Sequence, residues 1–161
     1  MNDNQNEVNV IIEENSMINK TPKETAETII KILDLKKARD IKLLYVEQQT
    51  ILADYFIICT GTSNTQIRAL AGEVREKLEI GGVLPIHVEG ENPGNWVLLD
   101  YASVIVHIFN REMRDFYKLE KLWQDVSPMG SAEREAESEA AASDESAEIL
   151  TSDIETLLKE D

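Results

Sequence analysis

One cysteine, Cys59, is all this chain has, so no intramolecular disulfide and no Cys-x-x-Cys metal or redox pair is available. It sits in the apolar run Tyr-Phe-Ile-Ile-Cys-Thr and reads as a small core side chain. Long apolar stretches are missing as well. Nothing approaches the roughly 18 apolar residues that cross a bilayer, which excludes a membrane-spanning helix. Met1 to Asn15 holds no Lys or Arg, so it lacks the basic start and long apolar stretch of a secretory signal, and the expected location is the cytoplasm. Positive charge is scarce, with 16 Lys+Arg against 31 Asp+Glu and a net charge of −15. A protein that wraps nucleic acid needs a basic footprint, so DNA is not an expected partner.

What is present is enough for one domain with a hydrophobic core: 161 residues, 42% of them hydrophobic. The charge is uneven. Ser127 to Asp161 holds eleven acidic and two basic residues, whereas Thr21 to Val126 holds sixteen and thirteen. This divides the chain into a flexible extension over residues 1–20, a nearly neutral domain over 21–126, and an acidic, disordered tail over 127–161. In the extension, Val8, Val10, Ile11 and Ile12 form a short apolar run that either adds as an edge strand or stays mobile. In the tail, Ser131 to Ala147 has almost no large apolar residues, and Leu150, Ile154, Leu157 and Leu158 suit a short amphipathic helix that needs a partner.

Within the domain, Thr21-Pro22-Lys23-Glu24 is a capping box with proline at the first helical position, and it predicts a helix with Ala26, Ile29, Ile30 and Leu33 as its apolar stripe. Ile41 to Glu47 and Tyr55 to Thr60 are rich in β-branched and aromatic residues and read as strands, the second buried on both faces. Ser63 and Gln66 cap a second helix that stops at Gly81-Gly82. Pro85 to Glu89, Trp96 to Asp100 and Val104 to Phe109 then form a meander. Asn110 caps a last helix, Arg111 to Trp123, with Phe116, Leu119 and Trp123 on one face. The class is α/β: a mixed sheet of about five strands with helices packed against it.

Chemistry is sparse. Thr60-Gly61-Thr62-Ser63, between a strand and a helix, resembles the Gly-Ser turn of nucleotidyltransferases, which holds phosphate on backbone N–H groups. Such enzymes also need paired carboxylates for divalent metal. Here Ile86-His87-Val88-Glu89-Gly90 offers one acid, and only Asp54, Glu89 and Asp100 are candidates to converge. His87 and His107 lack zinc-site spacing and read as hydrogen-bonded sheet histidines. Ser63 lacks a hydrolase elbow, so capping explains it. Lys36-Lys37-Ala38-Arg39 reads as a solvated helix end. In Trp96 to Tyr101, strand alternation sends Trp96, Leu98 and Asp100 to one face and Val97, Leu99 and Tyr101 to the other. Both faces are apolar, so one must either lie under another helix or bind a partner.

Six stretches then agree in order and spacing with one family: Ala53-Asp54-Tyr55-Phe56 leading to Gly61-Thr62-Ser63-Asn64, Val88-Glu89-Gly90, Trp96-Val97-Leu98-Leu99-Asp100-Tyr101, Val104 to Phe109, and Phe116-Tyr117-Lys118-Leu119-Glu120-Lys121-Leu122-Trp123. They resemble the ribosomal silencing factors of the RsfS/Iojap family. The resemblance implies a nucleotidyltransferase-like topology without the catalytic carboxylates, hence no enzyme, no metal and no cofactor. It implies binding to the large ribosomal subunit through its fourteenth protein, steric blocking of small-subunit joining, and dampened translation when nutrients are scarce. In some relatives the same contact assists large-subunit assembly. It assigns partner contact to Trp96, Leu98, Asp100 and Tyr101, with Glu89 and Glu112 as acidic contacts, and it implies a homodimer off the ribosome. Both ends of the chain lie outside the resemblance.

Overall fold

The computed structural model describes residues 10–123. Helix α1, Pro22–Leu35, starts where capping predicts: the Thr21 hydroxyl accepts a hydrogen bond from the Glu24 amide at 3.1 Å. Helix α2, Asn64–Ile80, starts on Ser63, whose hydroxyl accepts from the Gln66 amide at 3.0 Å. The Gln66 carboxamide oxygen accepts from the Thr62 amide at 2.6 Å and from the Thr62 hydroxyl at 2.7 Å. The reciprocal cap therefore closes one residue earlier than the motif implies.

Five strands follow the run boundaries closely: β1 Arg39–Tyr45, β2 Tyr55–Thr60, β3 His87–Glu89, β4 Trp96–Asp100 and β5 Val104–Phe109. They form one mixed sheet in the order β1-β2-β5-β4-β3. The pair β2–β5 is parallel and every other pair antiparallel, so β3, β4 and β5 make the expected meander. Strand alternation builds two cores. On one face Ile57, Cys59, Val97, Leu99, Val106 and Ile108 pack under α1 and α2. On the other, Phe56, Ile58, Leu98, Ile105 and Phe109 pack with Leu119 and Trp123. Each fully buried side chain of this kind contributes on the order of 1.5–3 kcal/mol.

Two segments differ from expectation. The last helix is not continuous. Lys118 takes a left-handed conformation (φ 49°, ψ 45°) between α3, Arg111–Tyr117, and α4, Leu119–Leu122. The break turns the chain so that Leu119 and Trp123 reach the sheet, while Phe116 is left 76% exposed; the three do not share a face. At the other end, residues read as a mobile extension pack against α2. Asn15 N–H donates to Ile80 O and Met17 N–H to Gly81 O, each at 3.0 Å, and Met17 is buried. Val8 and the tail readings for residues 127–161 lie outside the described residues. Among the described residues no helix is long and apolar enough to cross a membrane.

Candidate partner-binding surface

The β3–β4 connection sets the position of Trp96. Gly90 has φ +84°, and a Cβ there would lie 1.9 Å from the Trp96 carbonyl oxygen, so only glycine allows this approach. From β4 the indole of Trp96 reaches across the sheet face toward α3. Its ring centroid lies 4.7 Å from Phe109 and 4.8 Å from Tyr117, and its Nε1 donates to His107 Nδ1 at 3.3 Å. Phe116 stacks edge-on against Tyr117 at 5.1 Å. The result is an aromatic file that runs from fully exposed Phe116, through half-buried Tyr117 and Trp96, to the buried Phe109. Offset and tilted rings of this kind hold one another in place and keep their outer edges fixed.

Carboxylates flank the file. Glu89 is half-buried, and its Oε1 lies 2.7 Å from His87 Nε2; opposite Leu98 in the sheet register, it shares a face with Trp96. Glu112 is exposed in the first turn of α3, whose cap residue Asn110 donates its N–H to Asn95 O at 2.9 Å beside Trp96. Trp96 and Glu89 share one sheet face, and Glu112 is exposed on the helix that packs beside it.

The other three expected contacts do not reach it. Leu98 is 1% exposed in the cluster that Leu119 and Trp123 cover. Tyr101 points to the opposite face, beneath α1 and α2, where burial holds its phenol above the usual range. Asp100 is buried, and its Oδ1 accepts from the Ala102 N–H at 2.8 Å. Burial raises the Asp100 pKa, partly opposed by that hydrogen bond and by the charge of His87. Leu98 lies under Leu119 and Trp123, Tyr101 lies on the opposite face beneath α1 and α2, and Asp100 is tied into the turn at Ala102, so all three sit behind the surface. Phe116, expected on one helix face with Leu119 and Trp123, instead lies exposed at the end of the file. The signal was present in Phe116-Tyr117, because adjacent aromatics at a helix end cannot both face the sheet.

Asp54 lies just before β2, where its N–H donates to Ser103 O at 2.9 Å. Among the described residues no three His, Cys, Asp or Glu side chains converge as a metal site. At the Gly61 turn the Thr62 amide is taken by the Gln66 carboxamide, and among the described residues no metal cluster lies beside it.

Comparison with known proteins now decides the family. The model described as "Ribosomal silencing factor during starvation" matches residues 19–155. The chain belongs to this family, RsfS. The ribosomal silencing factor of Bacillus subtilis is 41% identical over 93 residues, covering 58% of this chain and 79% of that protein. A crystal structure of a Chromobacterium violaceum protein superposes with a TM-score of 0.64 at 36% identity, covering 70% of this chain and 93% of that one. The mouse protein named "Mitochondrial assembly of ribosomal large subunit protein 1" is 29% identical over 100 residues, covering 60% of this chain and 44% of that protein. The family is one of ribosome-associated regulatory factors, and this chain shares its α/β fold.

Proposed function

We propose that this protein binds the large ribosomal subunit through its fourteenth protein and blocks joining of the small subunit by occupying the contact face, repressing translation when nutrients are scarce. The reading involves no catalytic step and no cofactor, and it places the protein in the cytoplasm. The observation that carries it is the aromatic file Phe116–Tyr117–Trp96 with Glu89 and Glu112 at its border. Rigid aromatic anchors ringed by polar groups are what interface hot spots are made of, and carboxylates complement a basic ribosomal protein. Residues 21–126 carry the function in this reading; two copies cover the same aromatic surface as a homodimer off the ribosome. The name of the mouse relative favours a second role in large-subunit assembly through the same contact.

The test is to mix the full chain with separated ribosomal subunits and follow cosedimentation and the yield of joined ribosomes on gradients. Wild-type protein should travel with large subunits and deplete joined particles. Trp96→Ala, checked to be folded, should weaken binding by about thirtyfold or more, the loss of a hot spot of at least ~2 kcal/mol. Wild-type protein that stays at the top of the gradient overturns the reading.

A further inference from the structure

A concave site lies at the β1 edge of the sheet. On β1 the row of Leu44 and Val46 continues into Lys42, and on β2 the row of Phe56 and Ile58 continues into Thr60, so the apolar face turns polar toward one end. A cleft of about 380 Å³ opens there between β1 and the α3–α4 segment. Every residue that lines it is charged. Five are cations, Lys42, Arg111, Arg114, Lys118 and Lys121; three are carboxylates. This excess runs against a chain whose net charge is −15.

The carboxylates are already engaged. Asp40 pairs with Arg111, Asp115 lies 3.9 Å from the same guanidinium, and Glu120 accepts from Arg114 Nε. Lys42, Lys118 and Lys121 have no carboxylate within ion-pair distance among the described residues. Beneath them Arg114 is only 7% exposed. Its Nη1 donates to the Thr60 hydroxyl at 2.7 Å, while its Nη2 has no hydrogen-bond acceptor among the described residues. A guanidinium fixed on one side with donors left on the other is preorganised for an oxyanion. Three ammonium groups around one concavity repel one another, and a multivalent anion relieves that repulsion.

We propose that this cleft is a phosphate-binding site, taking a compact polyphosphate or a phosphodiester of an RNA strand, with Lys42, Lys118 and Lys121 as charge contacts on the fixed floor made by Arg114. No aromatic or apolar side chain lines the cleft, so it reads phosphate and not a base, which would need a stacking partner. The cleft and the aromatic surface share α3, but on the sheet the cleft stands on β1 and the aromatic surface on β4, with β2 and β5 between them.

The experiment titrates the full-length protein with tripolyphosphate and, separately, with a fluorescent single-stranded RNA, at low and high salt. Saturable binding is expected, weakened about tenfold or more in Lys118→Glu/Lys121→Glu. Lys23→Glu/Lys31→Glu, the same charge change on the exposed side of α1, should change it less than about twofold. If the first variant unfolds, Lys42→Gln/Lys121→Gln takes its place. Binding of tripolyphosphate alone assigns a free polyphosphate; RNA displaced by tripolyphosphate assigns a phosphodiester. No saturable binding of either probe, equal losses in cleft and α1 variants, or tighter binding of a poly-glutamate peptide than of both probes overturns the site.

Discussion

Trp96 and His107 are joined by a hydrogen bond from the indole Nε1 to the imidazole Nδ1 at 3.3 Å, and that contact fixes the state of the buried ring. An accepting Nδ1 is unprotonated, so the neutral imidazole carries its hydrogen on Nε2, which has no hydrogen-bond partner among the described residues. His107 is fully buried beside Phe56 and Phe109. Burial lowers its pKa from 6.5 to about 3, because the charged imidazole loses its hydration there.

Acid should therefore destabilise the fold through this residue. The unfolded chain takes up a proton at His107 near pH 6.5 and the folded chain only near 3. Its contribution is full above the higher value and is lost as pH falls below it. Between about pH 7 and 5 the loss is roughly 2 kcal/mol. His107→Gln keeps an acceptor for Trp96 and removes the titration, so urea unfolding of the variant should show a shallower pH dependence by about that amount. An unchanged slope would mean that the folded protein hydrates the imidazole.

Phe116 and Leu98 should separate binding from folding. Phe116 is 76% exposed and Leu98 1%. Phe116→Ala should leave stability within about 0.5 kcal/mol of wild type while weakening large-subunit binding by about tenfold or more. Leu98→Ala opens a cavity under Trp123 and should cost about 2–5 kcal/mol in chemical denaturation. Normal cosedimentation by the Phe116 variant would remove it from the interface.

How much of this was legible in the sequence follows from the range of the interactions involved. Thr21, Ser63 and Gly81 announce helix ends because caps are satisfied within four residues. The alternation of Trp96 to Tyr101 assigns sides correctly because strand geometry has period two. Depth is another matter. Whether the Leu98 side faces water depends on Leu119 and Trp123 arriving over it, and they arrive only because non-glycine Lys118 is held in a left-handed conformation by their burial. No proline or glycine marks that break. The charged cleft is still less visible, since the Asp40–Arg111 pair joins residues 71 positions apart.

Arg114 should matter to stability before it matters to any ligand. Replacing it with leucine removes the donor to the 3%-exposed Thr60 hydroxyl and the partner of Glu120. Glu120 is partly exposed and can be rehydrated, so the cost should be about 1–3 kcal/mol, below that of stranding a fully buried charge. Thr60→Val in the same background should cost less than in wild type, because the hydroxyl has already lost its donor. A double-mutant cycle by thermal denaturation measures that coupling, and a coupling near zero would show that the two side chains do not share a bond in solution.

The most sensitive backbone position for the aromatic surface should be Gly90. Two separate penalties meet there: a positive φ that an L side chain resists, and a Cβ 1.9 Å from the carbonyl oxygen of Trp96. The amide of Gly94 also donates to Gly90 O at 3.0 Å, so the turn cannot relax on that side without losing a bond. Gly90→Ala must push β3 away from β4 or shift Trp96 along its strand, at a cost of at least about 2 kcal/mol. Because Trp96 stacks on Tyr117 and Phe109 and donates to His107, displacement should expose the indole. A red-shifted tryptophan emission at temperatures where the variant is still folded by circular dichroism would show this. An unshifted emission with unchanged stability would mean that the turn is looser than its geometry requires, and that Trp96 is held in place by α3 and not by the β3–β4 turn.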